Sequence, residues 1–109
     1  MREKNEKKQP VKLEEYNPLW PSIFQKEAEI VREILGETCL EIHHIGSTSI
    51  PGLSAKPIID IIIVVNDLLI LDTNSKALEK INYVAMGEYG IPGRRFFWKS
   101  PEHRRFNIH

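Results

Sequence analysis

The side chains best suited to chemistry lie together at 43–65, HHIGSTSIPGLSAKPIIDIIIVV. Gly46, Ser47 and Thr48 follow a short apolar stretch. A glycine there lets the backbone approach a ligand closely, while the hydroxyls and backbone N–H groups donate to an anion. Lys56, at the far end of the same loop, can add a point charge to a phosphate. Asp60 then sits inside a run whose other members are all aliphatic. An unpaired carboxylate buried there would be strongly destabilising, so Asp60 is expected to face a cleft, a cation or hydrogen-bond donors. Two readings stay open: a functional acid, or an acceptor for the backbone N–H groups of the Gly46–Ser49 turn that holds the loop in place.

A second group of charges lies at 94–106, where Arg94, Arg95, Lys99, Arg104 and Arg105 alternate with Phe96, Phe97, Trp98 and Phe106. The turn Pro92-Gly93 sets Arg94 and Arg95 at a strand start. Successive strand residues face opposite sides, so one of the two arginines reaches any cleft on a given face. A guanidinium there can grip phosphate in a bidentate fork or make a surface salt bridge. Trp20, Phe24, Phe96 and Trp98 read as core, and Cys39 as a small buried hydrophobe.

These groups need a frame. Asn17-Pro18 is a helix start, since Asn caps free N–H groups and Pro suits the first helical position. Leu19, Trp20, Ile23, Phe24, Ala28, Ile30, Val31, Ile34 and Leu35 then recur at three- and four-residue steps, with Glu27 the one interruption. Gly36 is the stop. Glu27, Glu29 and Glu33 read as a solvated face. The segment 39–45 reads as a strand, 46–57 as a loop with room for one helical turn, and 66–80 as a helix capped by Asp72 or Asn74. Seven of the eight residues at 58–65 are β-branched, which predicts a central strand covered on both sides. Strands are also expected over 83–86, 94–99 and 104–109, with a Gly/Pro-rich loop at 87–93. The fold class is α+β, a small mixed sheet flanked by helices.

The 109 residues suffice for one domain, and 41% apolar against 28% charged residues is ordinary globular composition. Lys+Arg and Asp+Glu are both 15, so no global basic field exists for nucleic-acid binding. The charge is uneven: residues 1–12 carry five positive and two negative side chains, and 88–109 carry the same. The first ten residues are expected to be a disordered basic tail ahead of a domain at 11–109. One cysteine excludes an intramolecular disulfide, no apolar run approaches the ~20 residues of a membrane span, and the N-terminus lacks a secretory pattern. A cytoplasmic location without membrane contact is the expectation.

HIGSTSIPGLSAKPIIDI at 44–61 resembles the signature of the GrpB family (UPF0157), and GIPGRRFFWK at 90–99 and FNIH at 106–109 are similar to its later blocks. The resemblance covers roughly residues 11–109. It implies the nucleotidyltransferase fold shared with polymerase β-like enzymes, in a family that also occurs fused to dephospho-CoA kinase. That pattern is a Gly-Ser, a gap of roughly ten residues, then Asp-x-Asp or Asp-x-Glu on a strand, plus a third carboxylate on a later strand. Gly46-Ser47 and Asp60 match its first parts. Residues two apart on a strand point the same way, so paired carboxylates can hold divalent metals that clamp attacking and leaving oxygens. Here the second position is Ile62, which ligates nothing, and standard two-metal transfer is not expected.

The same fold implies that the last strand pairs beside 58–65 and brings Asn107 and His109 near Asp60. With His44 as a third donor, Asp60, His44 and His109 would suit Zn²⁺ or Mn²⁺, whereas Asp60 with phosphates suits Mg²⁺. His43 points to the face opposite His44 and is expected to be structural or exposed. The implied phosphate contacts are Gly46, Ser47, Thr48, Lys56, Arg94 and Arg95, and the implied ligand is a nucleotide or phosphorylated small molecule. Relative to the family the chain ends early, so an apolar sheet face is expected to be exposed or covered by a second copy in a homodimer. Three functions stay open: metal-dependent nucleotidyl or phosphoryl transfer, a non-catalytic nucleotide- or phosphate-binding module, and a structural partner domain.

Overall fold

The computed structural model describes residues 13–100 and 105–109. The basic tail over 1–10, and with it Pro101 and Arg104, lies outside the described residues. Helix α1 runs Trp20–Leu35, strand β1 Cys39–Ile45, β2 Ile58–Val65, helix α2 Leu68–Glu79, β3 Val84–Ala85, β4 Phe97–Lys99 and β5 Arg105–Ile108. Single 3₁₀ turns occupy Gly36–Thr38 and Ser47–Ser49. The result is an α+β fold with one five-stranded mixed sheet in the order β1-β2-β5-β4-β3. β2 and β5 are parallel and the other neighbours antiparallel.

Local chemistry explains most boundaries. Helix α1 starts at Trp20 behind Leu19 with no side-chain cap and with Pro21 in its first turn, so Asn17-Pro18 does not form the helix start. Asn17 Oδ1 accepts the Leu19 N–H at 2.9 Å ahead of it, and Gly36, at φ +57°, closes the helix in a conformation suited to glycine. Helix α2 is capped by Asp67, whose Oδ1 accepts the Leu69 N–H at 2.9 Å, rather than by Asp72 or Asn74. The capping carboxylate must lie ahead of the first turn, and those two residues lie inside the helix. Strand β4 is shorter than the expected 94–99, since Arg94 and Arg95 precede it.

Both helices pack on one sheet face. Trp20, Phe24, Val31 and Leu35 of α1 and Leu71 and Leu78 of α2 share a core with Ile59, Ile61, Phe97, Phe106 and Ile108. Burial along β2 therefore alternates: Ile59 and Ile61 are 0% exposed, Ile62 37% and Val64 39%. This corrects the expectation of a strand covered on both sides. Among the described residues no helix covers the face carrying Asp60, Ile62 and Val64, and β-branched composition alone did not distinguish one covered face from two. No helix among the described residues is long and apolar enough to cross a membrane.

Glu27 is buried, unlike exposed Glu29 and Glu33, and does not belong to a solvated face. Its Oε2 lies 2.7 Å from Lys99 Nζ on β4 and accepts the Tyr83 hydroxyl at 2.7 Å. Lys99 also donates to the Ile81 carbonyl at 3.3 Å and sits 4.6 Å from the Tyr83 ring centroid. Burial, then the Glu27 charge, pushes the Tyr83 hydroxyl far up, so it remains a donor. This triad ties α1 to the sheet half opposite β1. Removing one partner of a buried pair leaves the other charge uncompensated. Lys99→Met should cost about 3–5 kcal/mol in chemical denaturation, and adding Glu27→Gln should restore much of it; equal losses in the single and double variants would contradict this pairing.

Candidate functional site

The site is assembled by register. Ile45 pairs with Asp60 across β1 and β2, and Asp60 pairs with Asn107 across β2 and β5. Residues directly opposite share a face, so Asp60, Ile62, Asn107 and, two residues on, His109 stand together on the uncovered face. Asp60 Oδ1 accepts from Asn107 Nδ2 at 3.2 Å and lies 3.2 Å from His109 Nε2. Arg105 Nε in turn donates to Asn107 Oδ1 at 2.7 Å while its guanidinium lies 4.8 Å from the Trp98 ring centroid. The partners of Asp60 are thus side chains on and just past β5, not the backbone N–H groups of the Gly46–Ser49 turn.

The other carboxylate oxygen is left open. Oδ2 receives no hydrogen bond from any described residue and faces Gly46 so closely that a Cβ there would lie 2.8 Å from it. Gly46 also adopts φ +79°, where a side chain is strained. Beside this contact a cavity of about 230 Å³ is lined by Ser47, Ser54, Lys56, Ile58 and Asp60. Lys56 is exposed, and among the described residues its ammonium makes no hydrogen bond or ion pair, although its carbonyl accepts the Ile58 N–H at 2.7 Å. A free cation, a hydroxyl and an open carboxylate oxygen therefore border one hollow at the mouth of β1 and β2.

The turn is braced from behind by two residues that the sequence placed in front. His44 pairs with Ile61, not Asp60, and so points to the helix-covered face. Its ring stacks on Phe24 with centroids 4.8 Å apart, and its Nε2 lies 2.9 Å from Thr48 Oγ1. Thr48 is buried and donates its hydroxyl hydrogen to the Ile58 carbonyl at 3.1 Å, so it accepts from His44. His44 therefore does not share a face with Asp60 and His109, and Thr48 does not face the cavity. His43, across the strand, is exposed and lies 2.8 Å from Glu41 Oε1. Burial holds the His44 imidazole below its ordinary range, with Asp60 opposing in part.

The two arginines separate although both lie ahead of β4 rather than in it. Arg95 makes a two-pronged pair with Asp72 of α2, at 2.8 and 3.1 Å, and faces away from Asp60. Arg94 lies on the Asp60 side, its Nη1 3.5 Å from His109 Nδ1. Sequence reasoning missed the bracing pair, although the four-residue spacing of His44 and Thr48 across a glycine was a usable signal. It also missed that Arg105 orients Asn107.

For a cation, the donor set offers one carboxylate. Ile62 fills the second carboxylate position, His44 is on the far face, and His109 Nε2 is directed at Oδ1. Among the described residues no three His, Cys, Asp or Glu side chains are gathered in a metal-binding group. The open Oδ2 fits Mg²⁺, which usually takes one or two carboxylates and completes its shell with water and phosphate oxygens. It does not fit a histidine-rich Zn²⁺ site.

Two measurements check this geometry. Gly46→Ala should destabilise by about 1–3 kcal/mol and by more than Gly52→Ala. Both glycines have positive φ, but only the Gly46 methyl would meet an atom within 4 Å; equal losses would contradict the Gly46–Asp60 contact. His44, with its folded-state pKa lowered, resists a proton that the unfolded chain accepts. Its contribution is therefore complete above about pH 6.5 and declines as the pH falls below that value. The difference in urea midpoint between wild type and His44→Gln should narrow between pH 7.5 and 5, and a constant difference would contradict it.

The model of the family described as "GrpB protein" matches residues 10–109. A UPF0157 protein of Halalkalibacterium halodurans, BH1888, is 49% identical over 73 residues, covering 67% of this chain and 37% of that protein. The crystal structure of the conserved protein GrpB from Enterococcus faecalis superposes with a TM-score of 0.83 at 41% identity, covering 90% of this chain and 61% of that one. A dephospho-CoA kinase of Mycolicibacterium paratuberculosis is 36% identical over 66 residues, 58% of this chain and 16% of that protein. The chain thus spans under two thirds of the length of these relatives. With nearly the whole described domain matched, the chain belongs to the GrpB protein family.

Proposed function

We propose that this domain is a nucleotidyltransferase-like module that binds a nucleotide or phosphorylated small molecule at the mouth of β1 and β2. Gly46 and Ser47 take the phosphate through backbone and hydroxyl donors, Lys56 adds a point charge, and Asp60 holds one divalent cation through Oδ2. The observation that carries this reading is the open Oδ2, pressed against Gly46 at the edge of a cavity that Ser47 and Lys56 also line. A carboxylate half-tied to its own sheet and half-exposed beside a free lysine suits a bridging cation better than it suits a brace. A brace would occupy both oxygens.

A bound divalent cation would neutralise phosphate charge and polarise a phosphoryl oxygen. The chain's own residues would orient the anion on the turn and keep one carboxylate oxygen available. With Ile62 in the second carboxylate position, binding is better supported than two-metal transfer. The similarity to a segment of a dephospho-CoA kinase favours an adenine nucleotide or coenzyme A precursor among ligands to screen, because that protein's name describes chemistry on such a molecule.

Titration calorimetry with Mg²⁺·ATP and with Mg²⁺·ADP tests the reading. Lys56→Ala should weaken binding roughly tenfold, the size of one charge-assisted contact, without shifting the thermal midpoint, because the Lys56 side chain is exposed and its ammonium has no partner among the described residues. Asp60→Asn should remove the Mg²⁺ dependence. Wild type that binds neither nucleotide, or affinity unchanged by Lys56→Ala, would overturn the reading in favour of a structural domain.

A further inference from the structure

Among the described residues Arg94 is a cation without an acidic partner. Among the described residues no carboxylate pairs with it: Glu88, the nearest acid in sequence, accepts the Gly93 N–H at 3.0 Å instead. The guanidinium is held by main-chain oxygens, with Nε donating to the Glu88 carbonyl at 3.2 Å and Nη2 to the Tyr89 carbonyl at 2.7 Å. Its central carbon lies 5.1 Å from the Phe96 ring centroid. Tyr89 reaches this position in a left-handed conformation, φ +47°, that non-glycine residues seldom adopt, and its ring stacks on Phe96 at 4.9 Å. The Phe96 ring also touches the His109 ring, with centroids 5.2 Å apart. The loop therefore fixes Arg94 tightly, and its remaining Nη1 is turned toward His109 Nδ1 at 3.5 Å.

That contact restricts what His109 can do. A guanidinium nitrogen only donates, so the Nδ1 that faces it must offer a lone pair. The ring proton of neutral His109 then sits on Nε2 and points at Asp60 Oδ1, 3.2 Å away. To ligate a metal beside Asp60, His109 would have to present a bare Nε2 and carry its proton on Nδ1. That proton would face the Arg94 N–H group, donor against donor, beside a fixed positive charge. Histidine ligands ordinarily hand that second ring proton to an acceptor, and here the position is taken by a cation.

We propose that Arg94 is a specificity-determining residue for the cation at Asp60: it keeps His109 out of the coordination shell and so biases the site toward hard, oxygen-seeking ions over Zn²⁺. Borderline ions gain most from an imidazole ligand, so its exclusion costs Zn²⁺ far more than Mg²⁺. This rests on the proposed cation at Asp60, but its test reads Zn²⁺ binding alone and needs no nucleotide.

The discriminating pair is Arg94→Gln and Arg94→Lys. Glutamine can turn its Oε1 toward His109 and accept an Nδ1 proton, whereas lysine, like arginine, can only donate. Calorimetry with Zn²⁺ should show at least a tenfold gain in affinity for Arg94→Gln and wild-type affinity for Arg94→Lys. The gain should vanish in Arg94→Gln/His109→Ala, and Mg²⁺ affinity should change little throughout. Loss of the Arg94 contacts to the loop would move both single variants alike, so equal behaviour of Gln and Lys overturns the proposal, as does a Zn²⁺ gain that survives removal of His109. If the Zn²⁺ pattern appears while Mg²⁺·ATP fails to bind wild type, the nucleotide reading falls and the role of Arg94 stands.

Discussion

The candidate site depends on how one carboxylate is shared. Asp60 is carried by a strand whose inward neighbours, Ile59 and Ile61, are fully buried, and it finds its partners because β5 runs beside it in parallel and brings up Asn107 and, just past the strand end, His109. Both of those donors converge on Oδ1. The second oxygen is neither consumed nor solvated by the sheet, because Gly46 closes over it without a side chain. Changing the β2–β5 register by one residue would turn every β5 side chain to the other face and leave Asp60 with no partner. The parallel pairing thus sets both the stability and the availability of the acid.

The two faces of the sheet divide the work. On the helix side the chain handles a buried charge by full compensation, with Glu27 meeting Lys99 and Tyr83 and the lysine resting against two aromatic rings. The same side holds the turn from beneath through Phe24, His44, Thr48 and the Ile58 carbonyl. On the uncovered side the charges form an incomplete chain, Trp98 to Arg105 to Asn107 to Asp60 to His109 to Arg94. Its members are partly exposed, and its one unoccupied acceptor opens into the cavity beside Lys56. Compensated charge serves architecture here, and uncompensated charge marks the surface suited to a ligand.

Much of this was legible in sequence. The periodic stripe of α1, the Gly36 stop, the bounds of β1 and β2 and the turn at 47–49 follow from local rules that the fold does not override. Asp60 beside a Gly-Ser turn was legible because a carboxylate among seven β-branched residues has few tolerable environments. Glu27 was not, since burial of a helix glutamate depends on a lysine 72 positions away, which no periodicity reports. His44 was misplaced for a related reason: alternation gives relative facing along a strand, while the pairing partner decides which face meets the helices. Its candidacy as a metal ligand came from its place two residues before Gly46, and its actual contacts are a phenylalanine ring and a threonine hydroxyl. Arg94 and Arg95 were read as one of each kind, and the structure directs Arg95 to Asp72 and Arg94 to the His109 side.

The most direct test of the central account is to locate a paramagnetic cation by the amide signals it broadens. With Mn²⁺ added to the isotope-labelled protein, losses should centre on Gly46, Ser47 and Asp60 and disappear in Asp60→Asn. Broadening centred on exposed Glu41 and His43 instead, or none at all, would contradict an open carboxylate oxygen poised to hold a cation.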